Sequence, residues 1–321
     1  MPSVQKVHID KVLSNISLGY KNEMYIADNV LPALPVTKQS DRYYVYGKEA
    51  FRLHEDARAP GAEANEINWT LSLDQYFCEG HALRHPIADE EIQNADDEFS
   101  LESDAVELLT EGILLNKEVS AANMLLDANS YDSDLVYNMG GANQPKKWSD
   151  YENSDPILDV ARAKEAVHKK IAVRLNTMVI SETVYNVLKF HPKILTLFSG
   201  ISPVSIASKE QIKMALGVDN LYIGSALKSS ATNPGQSDTL SYIWGNSAVL
   251  CYVPPKPGKK IQAIGYTFMW NKDGDGAVQV RKWYEQGRRA TLIEAERWYS
   301  HKIISKEAGF LFADAVTPIG G

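Results

Sequence analysis

Between residues 67 and 74 the chain reads INWTLSLD. Ile67, Trp69, Leu71 and Leu73 alternate strictly with Asn68, Thr70, Ser72 and Asp74. A two-residue period predicts a half-buried strand. RYYVY at 42–46 favours strand by its aromatic and β-branched content. Between the two lies FRLHEDARAPGAEANE, which is polar, carries Pro60-Gly61 and has little to build a core from. The pair is expected to form a long two-stranded ribbon with a loose tip. Such a ribbon is marginal alone in water, so it needs another surface to lie on.

From Ser100 the period changes to three and four. Ala105, Leu108, Gly112, Leu115, Val119, Ala122 and Leu126 trace one helical stripe over 100–129. Ser100 suits the N-cap, and Glu102 and Asp104 suit the positive end of the dipole. Asp155-Pro156 opens a second helix that runs to Ile171 and ends on Lys169 and Lys170. TMVIS is a short strand, and Ser181 caps a helix that stops before His191-Pro192. Ser208 to Gln211 forms a capping box and Gly217 a stop. The rest alternates as strands: NLYIGSAL, LSYIW, AVLCYV, IQAIGYTFMW, AVQVRKWYE, ATLIEAERWY and HKIISKEAGFLF. Residues 1–40 are weakly periodic and contain LPALPV, with Pro32 and Pro35. Proline disfavours helix before it, so an extended N-terminal arm is expected, with a short helix near 10–18. Helices in the middle and antiparallel strands later make an α+β chain, with no internal repeat.

Composition narrows the picture. The 321 residues, 44% of them hydrophobic, can bury a sizeable core. No apolar run reaches the length a membrane span needs. The start, MPSVQKVHIDKV, has no basic patch followed by an apolar stretch, so no signal peptide is expected. Cys78 and Cys251 are too few for a disulfide scaffold and fit synthesis in a reducing cytosol. Net charge is −8, yet residues 41–98 hold 14 Asp and Glu against 5 Lys and Arg, a local −9. Tight binding to DNA through a basic face is not expected. An acidic segment beside a near-neutral body points to an arm that reaches elsewhere.

The candidate chemistry is thin. NKDGDG at 271–276 opens like a calcium loop, with Asn271, Asp273 and Asp275 at alternate positions. The twelfth position, which should supply a bidentate Glu, is Lys282. Strand-like segments lie on both sides, so a hairpin tip is expected instead. His81 and His85, followed by Asp89, Glu90 and Glu91, have metal-ligand spacing on a helix, but Pro86 removes the helix. GNSAV at 245–249 lacks the second Gly of a nucleophile elbow, and KPGKK at 256–260 lacks the flanks of a phosphate loop. No catalytic, cofactor-binding or metal-ligating residue is assigned, and no cofactor is expected.

The order of elements (arm, acidic ribbon, long helix, mixed domain) resembles the major capsid proteins of tailed bacteriophages, which have the Johnson fold. The stretches ADNVLPALPVTKQSDRYYVYGKEAFR, ARAPGAEANEINW, YFCEGHALRHPIADEE and LLTEGILLNKEVSAANML look like the N-terminal half of one large phage and prophage capsid family. TMVISETVYNVLKFHPKI and SYIWGNSAVLCYV look like its second half.

The resemblance implies an α+β phage major capsid fold with N-terminal arm, extended β-ribbon loop, long spine helix and a mixed axial domain. It places the arm at 1–40, and the extended loop with the start of the peripheral domain at 41–98. The peripheral domain with its spine helix follows at 99–172, the axial domain at 173–285, and the return strands of the peripheral domain at 286–321. It implies a non-enzymatic shell subunit in the virion, assembled in the host cytoplasm. Its main partner would be itself, in hexamers and pentamers around the genome. Separate scaffolding, portal and decoration proteins are further implied partners. Packaged double-stranded DNA would be touched only non-specifically, and no membrane is involved. Because the chain begins directly at the arm, any scaffolding is expected from a separate protein. Some relatives cross-link Lys to Asn. Lys48 lies in the ribbon, but with no identifiable Asn partner or catalytic Glu that chemistry is not carried over. The acids at the tip, Glu55, Asp56, Glu63 and Glu66, either meet a neighbour's basic surface built partly from Arg281, Lys282, Arg288, Arg289 and Arg297, or simply keep an exposed arm soluble. The rival readings are an encapsulin-like cellular compartment and a soluble enzyme or metal-binding protein.

Overall fold

A computed structural model describes residues 25–46, 71–95, 100–198, 206–229, 239–258, 262–271 and 278–318, with a few positions between 53 and 67. The helix expected near 10–18 lies outside these residues. In chain order the strands are β1 (Ala33–Val36), β2 (Ser40–Tyr46), β3 (Leu71–Phe77), β4 (Glu79–Ala88), β5 (Val136–Asn138), β6 (Thr177–Ser181) and β7 (Asn220–Gly224). They continue as β8 (Leu227–Ser229), β9 (Leu240–Tyr242), β10 (Ala248–Cys251), β11 (Gly265–Trp270), β12 (Gln279–Glu285), β13 (Ala290–Ile303) and β14 (Gly309–Ala313).

Local signals fix the helix ends. The long helix runs Leu101–Leu126, and the Ser100 side chain accepts from Ser103 N. The next runs Pro156–Ile171 behind the Asp155 cap and ends on His168, Lys169 and Lys170. Ser181 caps Glu182–Leu188, and Ser208 and Gln211 close a capping box on Lys209–Leu216. Gly217 stops that helix in the left-handed region that Gly enters without strain (φ 60°).

One mixed sheet has the order β5-β14-β10-β6-β7. Its central strands read TMVIS, AVLC and GFLF, and nearly every side chain in them is buried. Runs of consecutive apolar residues are what a strand covered on both faces requires. The same core takes in Ala121, Ala122 and Leu125 of the long helix, Val160, Ala163 and Val167 of the Pro156–Ile171 helix, and Ile26, Ala27, Val30 and Leu31.

The second sheet is built around β13. β4 pairs along one edge, from Ala290↔Ala88 to Tyr299↔Glu79. β12 pairs with residues 290–296 and β11 with residues 299–303, so both share the opposite edge, end to end. β1 pairs in parallel with β11. The ribbon is β2 against β3, in register from Ser40↔Phe77 to Tyr46↔Leu71.

Several expectations are corrected. The stretch around NKDGDG is not a hairpin tip. Its flanking strands do not pair with each other but lie collinear on β13; residues 272–277 are outside the described ones. The boundary expected between 285 and 286 falls inside the β12–β13 pair, and β14 belongs to the other sheet, beside β10. ATLIEAERWY and the start of HKIISKEAGFLF form one strand. Ile26, Ala27, Val30 and Leu31, expected in an extended arm, are core, and Ala27–Val30 is a short helical turn.

Two phases are also corrected. On the long helix the buried positions are Ala105, Leu109, Ile113, Lys117, Glu118, Ala121, Ala122 and Leu125, while Leu108 is 62% exposed. The helix turns its stripe toward β4 and β13 and then toward residues 26–31, so packing partners far along the chain set the phase. On β3 the period is right, but Leu73 faces outward and Asp74 and Tyr76 face the body. Residues 68–70 are outside the described ones.

Candidate functional site

The residues with chemical potential are used structurally. His81 and His85 sit on β4, not on a helix. His81 stacks on Tyr299 with ring centroids 4.1 Å apart, and burial pushes its pKa down. Ser154 Oγ and His191 Nε2 are 3.0 Å apart, the separation of a nucleophile and its base. However, both side chains are sealed from water, and Ser154 Oγ donates to Asp150 O at 2.6 Å. His191 must then donate through Nε2, which leaves no base facing the hydroxyl. Its buried imidazole is held neutral, with a pKa lowered to about 4. Cys78 and Cys251 are buried, and desolvation raises their thiols to about 11 and about 12, so neither is a nucleophile. In GNSAV, Ser247 Oγ accepts from Asp314 N at 3.1 Å and ties down a turn.

The outward surface of the ribbon differs from all of these. Its base is locked to the body. Tyr76 stacks on Phe268 at 4.5 Å, Tyr43 donates to Asp74, and Lys302 bridges Asp74 at 3.0 Å. Among the described residues, the opposite face of β3 is open to solvent. Leu73 is 56% and Phe77 55% exposed, and Ile67 is exposed further out. The described acids Asp56, Glu63 and Glu66 are exposed as well; Lys48 and Glu55 lie outside the described residues. β12 also shows Val280, Trp283 and Tyr284 to solvent.

The basic surface expected to receive this ribbon is partly consumed within the chain. Arg281 bridges Glu296 at 3.0 Å, Lys282 bridges Glu102 at 2.5 Å and Arg288 reaches Glu285 at 3.7 Å. Arg297 donates to Met269 Sδ at 3.2 Å. Three of the five basic residues thus already have acidic partners within the chain.

A buried polar node holds the body together behind this surface, and sequence reasoning missed it. Glu118, 1% exposed, accepts from Ile26 N (3.1 Å), Ala27 N (2.9 Å) and Trp244 Nε1 (2.8 Å). Burial raises its pKa against these three donors. Next to it, buried Lys117 pairs with Asp28, and desolvation lowers the Lys117 pKa. His301 Nε2 lies 3.2 Å from Lys117 O, and its Nδ1 lies 2.9 Å from Thr267 Oγ1. The node ties residues 26–31, the long helix, β11 and β13 together. A signal existed: stepping by four from Ala105 through Leu109 and Ile113 lands on Lys117.

No protein-family model matches the chain. The major capsid protein of Burkholderia phage BcepMu is 31% identical over 316 residues, covering 95% of this chain and 96% of that protein. The major capsid protein of Pseudomonas phage JBD67 is 26% identical, covering 96% and 97%. Among solved structures, a phage-related protein from Bordetella bronchiseptica RB50 superposes with TM-score 0.71 at 25% identity, covering 96% of this chain and 98% of that one. The capsid of Cyanophage P-SCSP1u gives TM-score 0.59 at 10% identity over 92% and 89%, a likeness of fold alone. The encapsulin of Synechococcus elongatus PCC 7942 also shares the fold, with TM-score 0.50 at 9% identity over 96% and 98%. With 31% identity across nearly its whole length to one such protein, the chain belongs to the family of phage major capsid proteins.

Proposed function

We propose that this capsid protein builds its shell by self-association, with the ribbon as the element each subunit lays on its neighbour. The observation that carries this is a β3 strand whose Asp74 and Tyr76 are fastened to the body while Leu73 and Phe77, on its opposite face, are exposed. Burying such a side chain contributes about 1.5–3 kcal/mol, and a closed shell repeats the contact at every interface. On this reading the product is an icosahedral head shell of hexamers and pentamers. It encloses a double-stranded DNA genome that it touches only non-specifically, and it resides in the virion. The subunit's role is structural rather than enzymatic. The long helix and the sheet around β13 form its peripheral part, and the sheet around β10 its axial part. Separate scaffolding, portal and decoration proteins complete the particle. Electron microscopy of the purified protein tests this. Closed shells are the expected result; a protein that stays monomeric at high concentration, in low and high salt, overturns it.

A further inference from the structure

β4 lies at one edge of the sheet around β13, and its outer side is open only in the middle. Asp89 N donates to Arg289 O at 3.0 Å, just beyond the pair Ala290↔Ala88. Antiparallel pairs alternate, so the odd-numbered residues of β4 bond to β13 and the even-numbered ones turn their backbone groups outward. At one end those outward groups are taken. Cys78 N donates to Gln39 O at 2.8 Å, and Cys78 O accepts from Gln39 Nε2 at 3.2 Å. At the other end Pro86 has no N–H, and Ala88 N donates to Glu91 Oε2 at 3.1 Å. Between them Gly80, Ala82 and Arg84 are exposed, and among the described residues nothing pairs with their outward N–H and C=O groups.

An exposed edge is normally blunted by proline, charge or a covering group. Both ends of β4 are blunted in this way, and three alternate positions between them are not. Apolar surface borders the gap. Leu83 is 37% exposed, and its Cδ1 lies 2.9 Å from where a Cβ on Gly112 of the long helix would stand. One turn earlier on that side of the helix is Leu108, 62% exposed. A strand added here gains backbone bonds and covers Leu83.

The edge is complementary to itself. Laid antiparallel on a second β4 about Ala82, it sets Ala82 opposite the partner's Ala82 and Gly80 opposite the partner's Arg84. These are the three open positions, so each copy satisfies the other's. A register shifted by two residues brings in Pro86, which lacks the N–H, or Cys78, which is already bonded. On one face Glu79 falls opposite the partner's His85, a hydrogen-bond donor for its carboxylate. On the other the partner's Arg84 comes beside Gly80, where the Trp298 ring lies 2.9 Å from the position of a Cβ. A guanidinium on an indole face is favourable.

We propose that β4 pairs with β4 of a second copy across a two-fold axis, joining two sheets into one. The second copy as occupant rests on the self-association proposed above; the open edge does not. A ribbon laid on a neighbour is a head-to-tail contact, which closes rings, whereas this one is isologous and would join ring to ring.

Ala82→Cys tests the register. Across the axis its Cα atoms would stand about 5.5 Å apart, within disulfide range, and native Cys78 and Cys251 are buried. Mild oxidation of shells, or of the concentrated protein, should convert most of this variant to covalent dimer. Glu79→Cys should stay monomeric, because its two copies would lie roughly 20 Å apart. No dimer from Ala82→Cys, or as much from Glu79→Cys, overturns the proposal. Slow amide exchange at Gly80, Ala82 and Arg84 in shells that give no cross-link also overturns it, since another strand then fills the edge. Ala82→Pro removes an N–H that β13 does not use, as Pro86 already does. Its free subunit should unfold at the parent's denaturant concentration, and its shells should dissociate at a lower one. Shells as resistant as the parent's overturn the pairing. If the parent forms no shells yet Ala82→Cys dimerises, the pairing stands and the assembly reading falls.

Discussion

Two phenylalanines on strands mark two regions of this molecule. Phe312, on β14, is fully buried, with ring centroids 5.1 Å from Trp148 and 6.0 Å from Tyr137. Phe77, on β3, is 55% exposed, as is Leu73 further along the same face (56%). The region of Phe312 buries both faces of its sheet and hydrogen-bonds its buried carboxylate Asp159 to Trp148. The region of Phe77 is fastened only at its base and carries its apolar residues outward. Apolar residues facing water on an element whose base is rigidly held are best explained by a partner outside the chain. Under the proposed function, the contrast separates what folds the subunit from what joins subunits.

The sharpest way to break the contrast is to remove bulk from each region. Phe312→Ala should lower the free energy of unfolding by about 3–5 kcal/mol, because it leaves a cavity among packed aromatic rings. Denaturant unfolding of the free subunit measures this. A loss under about 1 kcal/mol would mean that the core around β14 is loosely packed and that the two regions do not differ in kind.

The node offers a finer contrast, between neighbours in sequence. Glu118→Ala leaves three buried donors without an acceptor, and each such group costs about 1–3 kcal/mol. A loss of about 3 kcal/mol is expected, since the two backbone donors can relax. Lys117→Met should change stability by no more than about 1 kcal/mol in either direction. Its partner Asp28 is 56% exposed and stays hydrated, and a buried charge is replaced by an apolar chain of similar length. Equal losses from both substitutions would refute this assignment of roles.

How much of this was legible in the sequence follows the range of each interaction. The ends of the Pro156–Ile171 helix were readable because Asp155, Pro156 and Lys170 act within one or two turns. The TMVIS strand was readable from its continuous apolar run. The burial of Lys117 and Glu118 was not, because their partners Asp28 and Ile26 lie about ninety residues earlier. NKDGDG was misread for the same reason: Asp-Gly reports a local turn, but β13 decides which strands pair. On β3 the two-residue period was visible, while the face it presents outward depends on molecules absent from the sequence.

Acidification sharpens the comparison further, because the titrating histidines belong to the body. His191 is buried neutral, with a pKa lowered from 6.5 to about 4 by desolvation. Between those values the unfolded chain binds a proton that the folded chain refuses, so stability begins to fall as pH drops below about 6.5 and the loss is complete near 4. At pH 5 the contribution is about 2 kcal/mol. His301, lowered to about 4 chiefly by desolvation and also by Lys117, acts in the same direction. Unfolding measured from pH 7 to pH 4.5 should show this slope, and His191→Asn should remove its own share. A slope unchanged in the variant would mean that His191 titrates normally in the folded subunit.

The smallest effect on the subunit is also the most informative. Leu73→Ser and Phe77→Ser remove apolar surface that is already in water, so the free subunit should keep its stability to within about 0.5 kcal/mol. The ribbon's fastening would survive, because Tyr76, Asp74 and Lys302 are untouched. What the double variant loses is the surface that a neighbour would cover, at about 1.5–3 kcal/mol for each side chain buried in the contact. Every interface of a closed shell repeats that loss, so a subunit that folds normally should fail to close shells or should give shells that dissociate at much lower denaturant. Light scattering of assembly, run beside unfolding of the free subunit, reads both quantities on one preparation. If the double variant assembles as the parent does, the exposed face of β3 is not the joining surface, and the contrast between Phe312 and Phe77 reflects only where a ribbon happens to face water. If it unfolds as easily as Phe312→Ala, the ribbon belongs to the subunit's own stability, and the division between folding and joining fails at its first test.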